Sequence, residues 1–319
     1  IFKKNGKLYI IVGSKSKDEK EAMLVLYEGE DIFHFHFLKK LVSSDKFGTM
    51  FECPNLVSFE DNNYIIMSPQ NIKEKDGNFA NVSSCVYFKL KGDFIHEEQT
   101  IEKVKEIDHG LEYYAPTVYD DEKILVNWVQ MWGRRYYLDE IHNDFINTFS
   151  LFKKVKEKDG VLSFTPLSLE NYVTEKKIEK IKLNGESQTY HNCHVHYQVK
   201  FEKDEELCLT LEFFDSKRDK VNFVIDCKNN IYQLDRSNVS IPLNGVEDSY
   251  AKDGKRYLKK EIPSNCVIDI YIDNAYVEIY FDNFEEGFSF INFSKEDGFS
   301  LKSNKLVEIS LLSENIEVK

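Results

Sequence analysis

Leu56-Val57-Ser58-Phe59-Glu60-Asp61-Asn62-Asn63-Tyr64-Ile65-Ile66-Met67 reads as a strand, a tight polar turn and a second, wholly apolar strand. The Val, Ile, Tyr and Phe residues favour a pleated backbone, and Glu-Asp-Asn-Asn supplies turn chemistry. The same form stands earlier, in Ile1-Phe2-Lys3-Lys4-Asn5-Gly6-Lys7-Leu8-Tyr9-Ile10-Ile11-Val12. It stands again later, in Thr117-Val118-Tyr119-Asp120-Asp121-Glu122-Lys123-Ile124-Leu125-Val126. Tyr9, Tyr64 and Ile124 hold equivalent places, 55 and then 60 residues apart. Repeats of that length made of short antiparallel strands predict the blades of a β-propeller, with a β-sandwich of unrelated hairpins as the competing arrangement. In a propeller the innermost strand of each blade lines a central channel. Glu52-Cys53-Pro54 and Tyr114-Ala115-Pro116, just before two of the repeats, should therefore occupy corresponding places at a site.

Working outward, 319 residues predict about two domains. A composition 42% hydrophobic and 30% charged, with 14 Gly and 6 Pro, supplies a sizeable core and excludes a disordered or collagen-like chain. The 42 Lys+Arg against 55 Asp+Glu leave a net charge of −13, the wrong sign for a nucleic-acid or anionic-membrane surface. No apolar run approaches the ~18 residues that span a bilayer. Cys53, Cys85, Cys193, Cys208, Cys227 and Cys266 are scattered and form no CxxC, so they read as free buried thiols of a cytoplasmic protein. Helical periodicity is nearly absent; Ser168 to Lys182 is the best candidate for a short linker helix. Beyond it, His191 to Glu202, Leu207 to Phe214, Val221 to Cys227, Ile268 to Asp273 and Val277 to Phe281 read as longer strands, several alternating apolar with polar residues, as in a β-sandwich. The expected fold class is all-β, with a propeller portion over residues 1–174 and a sandwich over 175–319. His194 and His196 would share one strand face and His191 the other, poor geometry for a metal, and no Gly-rich phosphate loop occurs. No metal or cofactor is expected.

Five stretches, in order, resemble the invertase-type glycoside hydrolases of family 32. Phe51-Glu52-Cys53-Pro54-Asn55-Leu56 with Ser68-Pro69-Gln70 is similar to that family's W-E-C-P-D-L…S-P-Q. Asp108-His109-Gly110-Leu111-Glu112-Tyr113-Tyr114-Ala115-Pro116 is similar to D-x-G-x-D-F-Y-A-P, and Ile124 to Trp128 to the I-L-I-G-W that follows. Leu234-Asp235-Arg236-Ser237 and Ile272 to Tyr280 are similar to the L-D-R-S and V-D-x-S-S-V-E-I-F marks of the C-terminal sandwich. The resemblance implies a five-bladed propeller plus sandwich that cleaves β-fructofuranosides such as sucrose or sucrose 6-phosphate with retention. Retention requires two carboxyls about 5–5.5 Å apart, one a nucleophile and one a proton donor.

On residue-by-residue match Glu52 is the general acid/base. Cys53, Glu112, Tyr114 and Trp132 are the expected substrate contacts, the carboxylate for sugar hydroxyls and the rings for the sugar's C–H face. The expected partner is a small sugar, with the sandwich as a surface for a homodimer. Departures matter as well. P-R-E-L appears as Leu151-Phe152-Lys153-Lys154, and neither W-M-N-D-P-N-G nor R-D-P is present. Aligning Tyr9 with Tyr64 puts the counterpart of Glu52-Cys53-Pro54 just before Ile1, where R-D-P would sit. The expectation is therefore an N-terminally truncated sequence holding blades three to five and one of three catalytic carboxylates, inactive by itself. The alternative from a different class is a non-catalytic carbohydrate-binding remnant.

Overall fold

The computed structural model describes residues 1–132, 134–135, 148–192, 194–215, 219–239, 244–245, 254–292 and 298–317. Cys193 lies outside them. Among the described residues the first half forms three antiparallel sheets, consecutive in the chain. The first contains β1 (Phe2–Lys4), β2 (Lys7–Lys15), β3 (Ala22–Asp31) and β4 (His34–Ser44). The second contains β5 (Met50–Ser58), β6 (Asn63–Gln70), β7 (Val86–Leu90) and β8 (Lys105–Glu106). The third contains β9 (Tyr114–Tyr119) and β10 (Ile124–Val129), followed after the short β11 (Arg134–Arg135) by β12 (Thr148–Phe149), β13 (Lys153–Lys158) and β14 (Val161–Pro166).

The repeat that decides the fold explains how these sheets stack. Wholly apolar Tyr64-Ile65-Ile66-Met67 needs cover on both faces, unlike an alternating strand. It receives it: Ile65 and Met67 pack with Tyr9, Leu24 and Leu26 of the first sheet. Tyr64 and Ile66 pack with Leu125, Val155 and Phe164 of the third. Each sheet is thus a layer pressed between neighbours, the arrangement of propeller blades.

After a single 3-10 turn at Glu170–Tyr172 comes β15 (Val173–Glu186), so the helix expected over Ser168 to Lys182 is absent. Its charged residues alternate around Ile181 and Leu183, and the 19-residue β25 (Gly298–Ile316) offers a template that pairs from Val173↔Ile316 to Glu186↔Lys302. Tertiary pairing overrides a locally ambiguous, Lys/Glu-rich sequence. β25 joins β15 to a ten-stranded sheet with β16 (His194–Glu202), β17 (Cys208–Asp215), β18 (Asp219–Asp226), β19 (Ile231–Asn238), β21 (Lys255–Lys259), β22 (Asn265–Asp273), β23 (Tyr276–Phe281) and β24 (Glu286–Ile291). The front of β25 pairs with β17 and its rear with β16. The sheet folds over itself there, because rings from its two ends meet: Phe213 and Phe290 centroids are 5.3 Å apart, Phe223 and Phe288 5.2 Å, Tyr232 and Phe281 4.1 Å. The short β20 (Asn244–Gly245) pairs back to β11 across the two halves.

Candidate active site

β5 and β6 run in register through Glu52↔Ser68, then slip to Asn55↔Ile66. The slip is a bulge at Cys53-Pro54, where Cys53 takes φ +48°. A matching bulge falls in β9, where Ala115, before Pro116, takes φ +51°. Residues before proline are normally driven to extended backbone, and non-glycine residues avoid positive φ, so both turns hold strain. Asn55 secures the pair: its amide donates to Cys53 O and to Pro116 O, both at 2.8 Å, and its carbonyl accepts from Val118 N at 3.0 Å. The equivalence of Glu52-Cys53-Pro54 with Tyr114-Ala115-Pro116, read from the repeats, is thus a matched geometry in adjacent sheets. Gly13 of β2 permits close packing on the other side, since a Cβ there would stand 2.0 Å from Phe51 O.

The two bulges turn Glu52 and Tyr114 toward each other. Tyr114 Oη donates to Glu52 Oε2 at 2.6 Å, and Gln70 Nε2 donates to the same oxygen at 2.8 Å. Burial, followed by its bond to Glu52, pushes the Tyr114 phenol far above its usual acidity range, so it stays protonated. Trp128 and Trp132 complete an aromatic wall: Tyr114–Trp128 centroids are 6.0 Å apart, Tyr114–Trp132 6.5 Å and Trp128–Trp132 5.3 Å. Trp132 is 59% exposed, available to a sugar face. Cys53 lies exposed beside Glu52, its thiol pushed up by partial desolvation and then by the Glu52 charge. That corrects the expectation of uniformly buried cysteines, and Cys208 is also only half-buried.

Glu112 does not join this group. It is fully buried, its carboxylate engaged by Arg236 of L-D-R-S (Nη2–Oε1 2.6 Å, Nη1–Oε2 3.0 Å) and by Ile291 N at 2.8 Å. The whole Asp108 to Glu112 stretch runs along β24: His109 N donates to Gly287 O and Leu111 N to Ser289 O, both at 2.8 Å. Gly110 is required there, since a Cβ would meet Ser289 O at 2.0 Å. Leu111 enters the apolar core of the second half. Burial raises the Asp108 carboxyl to about 6 against the donors of Ser289 and Gly110.

Burial lowers the His109 imidazole, but Glu106 and Glu286 overcome it and hold the group up at about 10. Its Nε2 meets Glu286 at 2.9 Å; Glu106 stands 3.3 Å from Nδ1, close in charge but off the N–H direction. Two further buried pairs cross between the halves: Lys153 with Glu278 at 2.8 Å, and Arg256 Nη2 with Asn81 Oδ1 at 2.8 Å. On β16, His196 bridges Asp269 and Glu314, and His194 meets Asp273, each contact at 2.9 Å.

Sequence reasoning therefore placed Glu52, Cys53, Tyr114 and Trp132 in one neighbourhood, passed over Gln70, Trp128 and Asn55, and put Glu112 on the wrong side of the strand. Gln70 was visible in Ser68-Pro69-Gln70. The signal for Glu112 was Arg236, a lone Arg in an otherwise strand-like run.

A carboxyl held by two donors beside an aromatic wall, on a bulged inner strand of stacked β-sheets, defines a carbohydrate-type site in an all-β scaffold. The family model for the Glycosyl hydrolases family 32 N-terminal domain matches residues 1–166, and the chain belongs to that family. It is 26% identical over 317 residues to the sucrose-6-phosphate hydrolase of Streptococcus mutans, covering 96% of this chain and 63% of that protein. With the sucrose-6-phosphate hydrolase of Vibrio alginolyticus it shares 25% over 288 residues, 86% of this chain and 54% of the other. The chain thus spans between about half and just under two thirds of these relatives. Among solved structures, the sucrose-6-phosphate hydrolase of Lactobacillus gasseri superposes with a TM-score of 0.84 at 18% identity, covering 99% of this chain and 65% of that one. A Bombyx mori GH32 β-fructofuranosidase variant in complex with sucrose gives 0.81 at 19%, covering 99% and 64%. Among the described residues no helix is long and apolar enough to cross a membrane.

Proposed function

We propose that the protein containing this chain is a retaining β-fructofuranosidase that cleaves sucrose or sucrose 6-phosphate, with Glu52 as general acid/base. The observation that carries the reading is the Glu52 carboxyl in the grip of Gln70 and Tyr114 beside Trp128 and Trp132, on the strand whose motif matches the family's acid/base. In the first step Glu52 gives its proton to the leaving glycosidic oxygen. In the second it takes a proton from the water that releases fructose. Trp132 and Tyr114 face the sugar ring, Cys53 lines the approach, and residues 1–174 and 175–319 act as catalytic and supporting domains. The nucleophilic aspartate, by the same resemblance, lies outside residues 1–319, so these residues alone are expected not to hydrolyse sucrose.

The test is Glu52→Gln in the full-length protein. Sucrose or sucrose 6-phosphate turnover should fall by roughly 10²–10⁴-fold with an unchanged melting temperature. Undiminished turnover would remove Glu52 from the mechanism. A full-length parent that binds fructosides without cleaving them would install the binding-only alternative.

A further inference from the structure

Both donors at Glu52 converge on one oxygen. Gln70 Nε2 and Tyr114 Oη meet Oε2, at 2.8 and 2.6 Å, and among the described residues no donor meets Oε1. The direction of these bonds is fixed from outside. Trp132 hydrogen-bonds the Tyr114 phenol, and an indole N–H can only donate. The phenolic oxygen is therefore the acceptor of that bond, and its own proton is left for Glu52. Two donors occupy the lone-pair directions of Oε2, where an acid proton would collide with both.

We infer that the catalytic proton of Glu52 is carried by Oε1, and that Gln70, Tyr114 and Trp132 are positioning residues that select this oxygen. The inference rests on the acid/base reading of Glu52 above and assigns a task to three residues that reading does not use as proton carriers. In the first step the glycosidic C–O bond breaks with its electron pair going to the leaving oxygen, which takes the proton from Oε1. Glu52 is then a carboxylate still tethered through Oε2. In the second, Oε1 takes a proton from water as the water oxygen bonds to the fructosyl carbon and the nucleophile departs. The chain Trp132→Tyr114→Glu52, with Gln70 beside it, keeps the carboxyl from rotating between the two events.

The test compares two leaving groups in the full-length protein: sucrose, whose sugar alkoxide needs a proton, and an aryl β-fructofuranoside, whose phenolate leaves without one. Tyr114→Phe and Gln70→Met should each lower kcat/KM for sucrose by about 10- to 100-fold while changing the aryl substrate by less than about threefold. Trp132→Phe should shift in the same direction by less. Glu52→Gln serves as reference, with the same selectivity and a larger loss. Retained aryl activity itself shows that each variant folds. Equal losses on both substrates, or no loss on sucrose, would overturn the positioning role. Equal losses in Glu52→Gln itself would overturn the acid/base reading, and this inference with it.

Discussion

Lys153 stands where the family resemblance led one to expect a different residue, and it is 1% exposed, paired at 2.8 Å with an equally buried Glu278 from the other half of the chain. Its ammonium also donates to Leu151 O at 3.1 Å and lies 5.0 Å from the Tyr113 ring centroid. Glu278 receives Leu151 N at 2.6 Å and the Tyr280 hydroxyl as well. Removing one member of such a pair leaves a charge in a medium that solvates it poorly, at a cost of about 3–5 kcal/mol. Lys153→Met should therefore destabilise by that amount, and Glu278→Gln by a similar amount, because the ammonium then loses its counter-charge.

In the double variant no net charge remains buried, and the Gln carbonyl can still accept from Leu151 N or Tyr280. It should recover to within about 2 kcal/mol of the parent, a coupling of roughly 2–3 kcal/mol or more in the double-mutant cycle. Urea unfolding followed by the fluorescence of Trp128 and Trp132 is the assay. With a slope near 3 kcal/mol per molar, each single change should lower the midpoint by about 1–1.7 M. Additive losses in the double variant, or a single-variant loss below about 1 kcal/mol, would refute the claim that this pair acts as a unit across the interface.

Two further outcomes follow from the same geometry. Gly13→Ala would press a methyl group to 2.0 Å from Phe51 O, a backbone atom next to Glu52 with little freedom to retreat; a loss of at least about 2 kcal/mol is expected, and an unchanged thermal melt would contradict the close approach. His109 is raised from 6.5 to about 10 and Glu286 lowered from 4.5 to about 2. The His109 contribution to stability is thus complete below pH 6.5 and disappears as pH rises through 10, while that of Glu286 is complete above pH 4.5 and disappears as pH falls through 2. The stability gap between the parent and His109→Gln should accordingly be widest near pH 4.5–6.5 and shrink toward pH 10; a gap constant across that range, in melts at several pH values, would contradict a charged, doubly paired imidazole.

The hairpin repeats were legible because their turn residues and all-apolar second strands obey local rules: Tyr64 to Met67 could only be a strand covered on both sides. The kinship of Glu52-Cys53-Pro54 and Tyr114-Ala115-Pro116 was legible from the same spacing. The helix read into Ser168 to Lys182 failed because nothing local reveals a partner 130 residues away, and β25 supplies one. Glu112 failed for a related reason. Its motif fixes a carboxylate on a buried turn, but whether a carboxylate meets a sugar or an arginine depends on what the other half of the chain places opposite.

The sequence by itself determined the stacked antiparallel sheets, the family and the acid/base candidate, since each is written in residue type and spacing over a few positions. Only the tertiary structure decided that Asp108 to Glu112 is a weld between the halves. It alone also showed that Gln70, Tyr114 and Trp132 converge on one oxygen of Glu52. Hydrogen-bond direction and charge pairing are set by distances of about 3 Å between residues far apart in the chain, and no local pattern encodes them.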